Sequence, residues 1–82
     1  MIAHIFLNPV LAKHAFGRRT VPDNCTKRYS TMEIVCNNRV IEKYIVQNDD
    51  VQGLEFSNVY FDEYSVFDQT FINRVHLRLR II

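Results

Sequence analysis

The chain has 82 residues, enough for one small domain with a single modest core and too few for a second domain. Hydrophobic residues make up 48% of the chain and charged residues 23%, which excludes wholesale disorder. The formal net charge is +1, so composition gives no overall electrostatic reason to expect a nucleic-acid or membrane surface.

The first predicted element is a short helix. Met1 to Leu7 is compatible with either a strand or an irregular lead-in. Asn8-Pro9 then predicts a helix start, because Asn is a good N-cap and Pro suits the first helical position. Gly17 falls where helices commonly end in a left-handed conformation, so we expect the helix to cover Pro9 to Phe16. The segment from Met1 to Leu11 is interrupted by polar residues and has no basic n-region, so it does not predict a signal peptide or a membrane span.

A β-hairpin is predicted next, after a loop. Gly17 to Ser30 contains a Pro, an Asp-Asn pair and several basic residues without apolar periodicity, which is typical of a loop. Thr31 to Cys36 and Arg39 to Val46 are rich in apolar and β-branched residues and flank Asn37-Asn38, a pair that tolerates positive φ. Asn-Asn is a weaker turn signal than Asn-Gly, but the pattern still favours a hairpin.

The two cysteines, Cys25 and Cys36, belong to no Cys-x-x-Cys pair, and the three histidines are too widely separated to predict a metal site. We therefore expect free thiols in a reducing, intracellular location, the cytoplasm of a host cell.

A strand and a helix are predicted in the last third of the chain. Phe56 to Phe61 ends in three consecutive apolar residues, which favours a strand covered on both faces, as in a parallel or mixed sheet. Asp68 can cap a helix whose apolar residues follow at helical spacing: Phe71, Ile72 and Val75. From Val75 to Ile81 apolar and charged residues alternate, which is strand-like.

Two adjacent carboxylates, Asp62 and Glu63, follow the predicted strand directly. At the carboxyl end of a central strand, an Asp can bind Mg²⁺ through water while a neighbouring Glu polarises the water that attacks a γ-phosphate. A short apolar run followed by two acids also occurs in many proteins as a simple acidic turn. The pair alone therefore leaves both interpretations open.

The order of these features from Thr31 to Arg80 resembles the central part of the ATPase domain of large terminase subunits from tailed phages. In that family a hairpin with an Asn-Gly-type turn leads to an acidic loop. A Gly-x-x-Phe approach, here Gly53 to Phe56, then precedes an apolar strand ending in Asp-Glu or Glu-Glu. A helix follows and often closes on a segment much like Leu77 to Arg80.

The resemblance implies that Asp62 is the Mg²⁺-associated acid of a Walker B motif and Glu63 the catalytic carboxylate. Asn38 departs from it by standing where the family has a turn Gly. The phosphate-binding loop, Gly-x-x-x-x-Gly-Lys-Ser/Thr, is also missing, since neither Gly17 nor Gly53 precedes Lys-Ser or Lys-Thr. We identify no nucleotide-binding residues and expect no ATP hydrolysis by this chain alone. Mg²⁺ and ATP would bind only if another segment supplied the loop.

The sequence therefore predicts either one small α+β domain over residues 1–82 or part of an α/β P-loop ATPase domain. Its expected function is that of a terminase-derived fragment, with other terminase segments or subunits as partners and no DNA binding by the chain alone. The alternative is a standalone small phage-type protein that binds and modulates a protein partner. Tyr60, Tyr64 and Phe67 are the candidates for that binding patch, although aromatic residues of this kind also form cores.

Overall fold

A computed structural model of the chain describes residues 1–63 and 65–80. In chain order the elements are β1 (Ile2–Phe6), α1 (Pro9–Arg18), β2 (Cys25–Arg28), β3 (Glu33–Cys36), β4 (Arg39–Val46), β5 (Asn58–Phe61) and α2 (Gln69–His76). The strands form one mixed sheet in the order β2-β3-β4-β1-β5. Strand β1 runs parallel to β4 and β5, whereas the β2–β3 and β3–β4 pairs are antiparallel. The predicted small α+β domain is confirmed.

The N-terminal segment is the central strand of this sheet, which resolves the choice between a strand and an irregular lead-in. Ala3 and Ile5 are fully buried on one face, while His4 and Phe6 point to the other. This alternation is the period of two that a strand with different surroundings on its two faces requires.

Helix α1 begins as predicted. Asn8 is the N-cap, and its side-chain Oδ1 accepts a hydrogen bond from the backbone N–H of Leu11 at 3.0 Å. Pro9 occupies the first turn, where its missing N–H leaves no donor unpaired.

The end of α1 was predicted wrongly, because the helix continues through Gly17 to Arg18. Two contacts satisfy the carbonyls of the last turn without a left-handed glycine. The backbone N–H of Arg19 donates to the carbonyl of Phe16 at 3.2 Å, and Lys27 Nζ donates to the carbonyl of Gly17, also at 3.2 Å. The second contact comes from β2, ten residues further along the chain, so the local sequence gives no sign of it.

The predicted hairpin is confirmed as β3 and β4. Asn37 and Asn38 both have positive φ, 53° and 64°, as a two-residue type I′ turn requires. The pairing is irregular between Ile34 and Val35, where the register shifts by one residue.

Strand β2 lies within the segment predicted to be a loop, so that prediction was wrong for Cys25–Arg28. The strand has only four residues and pairs with β3 at the edge of the sheet. Cys25 and Cys36 lie directly opposite each other, with Cα atoms 4.2 Å apart, and form a disulfide. The expectation of free thiols was therefore wrong. That expectation followed from predicting a loop in place of β2, because only the β2–β3 pairing brings the two cysteines together.

Each face of the sheet carries its own hydrophobic cluster. On the face that α2 covers, which we call the α2 face, the buried residues are Ala3, Ile5, Ile45, Val51, Phe56, Phe71 and Val75. On the opposite face, the α1 face, Phe16 of α1 packs against Ile34 and Tyr44. The sheet therefore lies between two helices, one on each face.

Strand β5 and helix α2 largely match their predictions. Strand β5 is parallel to β1, and Asp68 caps α2 by accepting a hydrogen bond from the backbone N–H of Thr70 at 3.0 Å. The predicted cover on both faces of β5 was wrong, because Tyr60 on the α1 face remains 54% exposed. The strand-like prediction from Val75 onwards was wrong for Val75 and His76, which belong to α2. Further on, one parallel bridge joins Leu79 to Phe56, while Ile81 lies outside the described residues.

Candidate functional site at the carboxyl edge of the sheet

The acidic pair lies at the carboxyl end of β5, beside the central strand. The backbone N–H of Asp62 donates to the carbonyl of Ile5 at 2.9 Å, which extends the pairing with β1 by one residue. Because β1 and β5 are parallel, both end at the same edge of the sheet. Asp62 therefore lies close to the point where the chain leaves β1 for α1.

The connections from β1 and β5 leave in opposite directions. The chain leaving β1 passes to α1 on one face, and the chain leaving β5 passes to α2 on the other. Adjacent parallel strands with diverging connections open a crevice, which is the usual position of ligand sites in open α/β sheets.

A groove of about 780 Å³ occupies this position, a size typical of small-molecule sites. We call it the β1–β5 crevice, and its lining residues are Phe6, Leu11, His14, Ala15, Arg18, Arg19, Tyr44, Asp62 and Ser65.

The two acids have different surroundings. Asp62 is half-buried in the wall of the crevice, and its Oδ2 accepts a hydrogen bond from Ser65 Oγ at 2.9 Å. Glu63 is exposed and does not line the crevice. Within residues 1–63 and 65–80, no group of three or more His, Cys, Asp or Glu side chains is arranged to hold a metal ion. One carboxylate suits Mg²⁺ only when water and substrate phosphates supply the remaining ligands.

Glu42 is a buried acid that the sequence-based prediction missed. It lies on β4 with only 5% of its surface exposed. Its carboxylate accepts hydrogen bonds from Arg19 Nη2 at 2.6 Å and Arg19 Nε at 3.3 Å, and it pairs with His4 Nε2 at 2.9 Å. The bonds from the Arg19 guanidinium hold the pKa of Glu42 below its usual value, against the opposing effect of burial. A signal existed in the sequence, because a period of two places Glu42 on the same face as Tyr44.

Aromatic side chains form the floor of the crevice and continue beyond it towards β5. The Phe6 and Tyr44 rings stack with centroids 5.7 Å apart and planes 9° from parallel. His4 lies between Tyr44 and Tyr60, at centroid distances of 4.7 Å and 5.7 Å. Burial raises the pKa of Tyr44, so its phenol stays neutral under ordinary conditions.

The three aromatic candidates for a protein-binding patch do not share one surface. Tyr60 lies on the α1 face next to His4. Phe67 packs edge-on against Phe61, with centroids 5.2 Å apart, at the margin of the cluster on the α2 face. Tyr64 lies outside the described residues. Tyr60 is thus the candidate that extends the aromatic floor of the crevice.

Comparison of the chain with family models, with curated proteins and with solved structures gives no match to any of them. In the part of the chain that the structure describes, neither helix has the length and apolar character needed to cross a membrane.

Proposed function

We propose that the chain is a terminase-derived part of an ATPase domain, associated with ATP-driven phage DNA packaging and unable to hydrolyse ATP alone. The observation that carries the proposal is the position of Asp62. It lies at the carboxyl end of a parallel strand, hydrogen-bonded to the central strand and inside the crevice. A Walker B acid needs this position to reach a nucleotide-bound Mg²⁺.

The connection from β1 to α1 supports the part of the proposal in which another terminase segment completes the site. Only Leu7 and Asn8 separate β1 from Pro9 at the start of the helix. The Asn8 side chain already bonds the backbone N–H of Leu11, and Pro9 has no N–H to offer. A phosphate loop needs several free, successive backbone N–H groups, so this helix start cannot cradle phosphates. Another terminase segment would supply that loop, and Glu63 would act as the catalytic carboxylate only in the completed site.

The proposal is tested by NMR titration of the chain with ATP and paramagnetic Mn²⁺ in place of Mg²⁺, with and without a terminase segment that carries a phosphate loop. With that segment present, we expect Mn²⁺–ATP to broaden the amide signals of Asp62 and Ser65 selectively, and those of the distant β2–β3 hairpin much less; without it, we expect no selective broadening. Asp62→Asn should abolish this selectivity. Asp50→Asn is the matched control, because Asp50 is an acid in the connection between β4 and β5 and does not line the crevice. Equal broadening in Asp62→Asn and the wild type with that segment present would refute the proposal.

A second function, binding and modulation of a protein partner, is favoured by the exposure of Tyr60 beside the crevice. Such a protein should fold and remain monodisperse by itself and capture a defined partner. Tyr60→Ser should weaken that capture, while Tyr29→Ser, which changes a more exposed tyrosine near β2, should not. Partner binding that is equally strong in both variants would contradict this function.

A further inference from the structure

Part of the α1 face of the sheet has no covering layer in the described chain. Helix α1 lies over β4 and β1, and α2 lies on the opposite face. The aromatic surface therefore continues past α1 to Tyr60 on β5, which is 54% exposed, and Leu11 on the adjoining side of α1 is 39% exposed. Parallel strands are normally covered on both faces. This exposed aromatic surface is therefore a candidate interface for another chain.

The walls of the β1–β5 crevice carry opposite charges. Arg18 lies on the α1 wall, and Asp62 lies on the β5 wall. Among the described residues, no salt bridge joins Arg18 to Asp62 or to any other acid. Arg19 does not add free charge, because Glu42 neutralises it. An aromatic centre is thus flanked by a cationic wall on one side and an acidic wall on the other.

A surface of this kind is complementary to itself. A two-fold rotation about an axis through its centre places the cationic wall of one copy against the acidic wall of the other, as an isologous interface requires. An interface of standard size takes about 800 Å² from each partner. That is a small part of the 5708 Å² of accessible surface on this chain, whose longest dimensions are 37 and 31 Å.

We propose that a second copy of this chain docks on the β1–β5 crevice. In the dimer, α1 of each copy covers Tyr60 of the other, and Arg18 pairs with Asp62 of the partner subunit. A small anionic ligand fits the observations less well, since it would engage Arg18 but leave Tyr60 exposed. The dimer occupies Asp62, so it competes with the nucleotide site proposed above, although the inference itself does not depend on that function.

The test is a charge exchange measured by sedimentation equilibrium over a concentration series at low salt, without nucleotide or divalent metal. Arg18→Glu places Glu opposite Asp62 of the partner subunit, and Asp62→Lys places Lys opposite Arg18. Each single variant should raise the dimer dissociation constant by about tenfold, because both symmetry-related pairs become repulsive. The double variant restores opposite charges and should return the dissociation constant towards the wild-type value.

Lys13→Glu is the matched control for Arg18→Glu, because Lys13 is exposed on α1 and does not line the crevice. It should leave the dissociation constant unchanged. Restored dimerisation in the double variant also shows that both substitutions are compatible with folding. A wild-type chain that stays monomeric up to millimolar concentration would overturn the inference. So would a double variant that dimerises no better than the single variants. Because no nucleotide is present, either failure leaves the proposed ATPase role untouched.

Discussion

Replacing Glu42 by Gln should destabilise the domain by about 2 kcal/mol. Glu42 is 5% exposed, and its carboxylate pairs with two basic side chains, His4 and Arg19. A hydrogen bond to a charged group contributes about 1.5–3 kcal/mol, and breaking a buried ion pair costs about 3–5 kcal/mol. The expected loss is smaller than that for a broken buried ion pair, because the Arg19 side chain is 40% exposed and can turn towards water. Glutamine also keeps one acceptor in place.

The assay is thermal unfolding combined with urea unfolding. For a domain of this size, about 2 kcal/mol corresponds to a fall in Tm of about 8–16 °C. Glu55→Gln is the matched control, because the Glu55 side chain is 74% exposed and lies 4.0 Å from Arg80. It should change the free energy of unfolding by less than about 0.5 kcal/mol. A Glu42→Gln variant as stable as this control would refute the argument that the buried cluster stabilises the fold.

The same comparison has a pH dependence with a defined sign. The pKa of Glu42 is lowered in the folded state, so its contribution is complete above the pKa of an unfolded Glu, about 4.3. The contribution is lost as the pH falls through the folded pKa. The difference between the wild type and Glu42→Gln should therefore be constant near neutral pH and shrink in acid. A difference that grows below pH about 4 would contradict the proposed cause.

Two further predictions concern the core on the α2 face and the disulfide at the edge of the sheet. Phe71→Ala should destabilise the domain by about 3–5 kcal/mol in urea unfolding, because Phe71 lies on the buried side of α2 and is fully buried, whereas Thr70→Ala on the exposed side of α2 should cost far less. Reducing the Cys25–Cys36 disulfide, which spans 11 positions, should cost about 2–3 kcal/mol. Reduction should also speed amide exchange in β2 more than in β4. Equal stability of the oxidised and reduced chains would show that the disulfide does not hold β2 in place.

The parts of the fold that could be predicted from the sequence depend on neighbouring residues. The cap at Asn8, the turn at Asn37-Asn38 and the cap at Asp68 each arise from contacts within three residues, and all three predictions were right. The end of α1 and strand β2 could not be predicted, because they depend on contacts between distant segments, such as the bond from Lys27 to Gly17.

The candidate site also has one part that could be predicted from neighbouring residues and another part that depends on contacts between distant segments. The position of Asp62 at the end of a strand follows from the local pattern. The crevice does not, because it depends on which face each connection crosses. The Glu42 cluster joins residues 38 and 23 positions apart, and the sequence indicates only that Glu42 shares a face with Tyr44. The terminase-derived function stays a prediction, supported by the position of Asp62.

The central place of β1 has a consequence for how the chain folds. Ile2 pairs with Glu42 on one side and Asn58 on the other, so the first strand in the sequence finds its neighbours only after most of the chain is available. The antiparallel strands β2, β3 and β4 are local and can form early, whereas closing the centre of the sheet requires long loops and should limit the folding rate. Until β1 docks, the inner edge of β4 is an open strand edge. Slow docking would therefore leave an intermediate that can pair with other chains and aggregate.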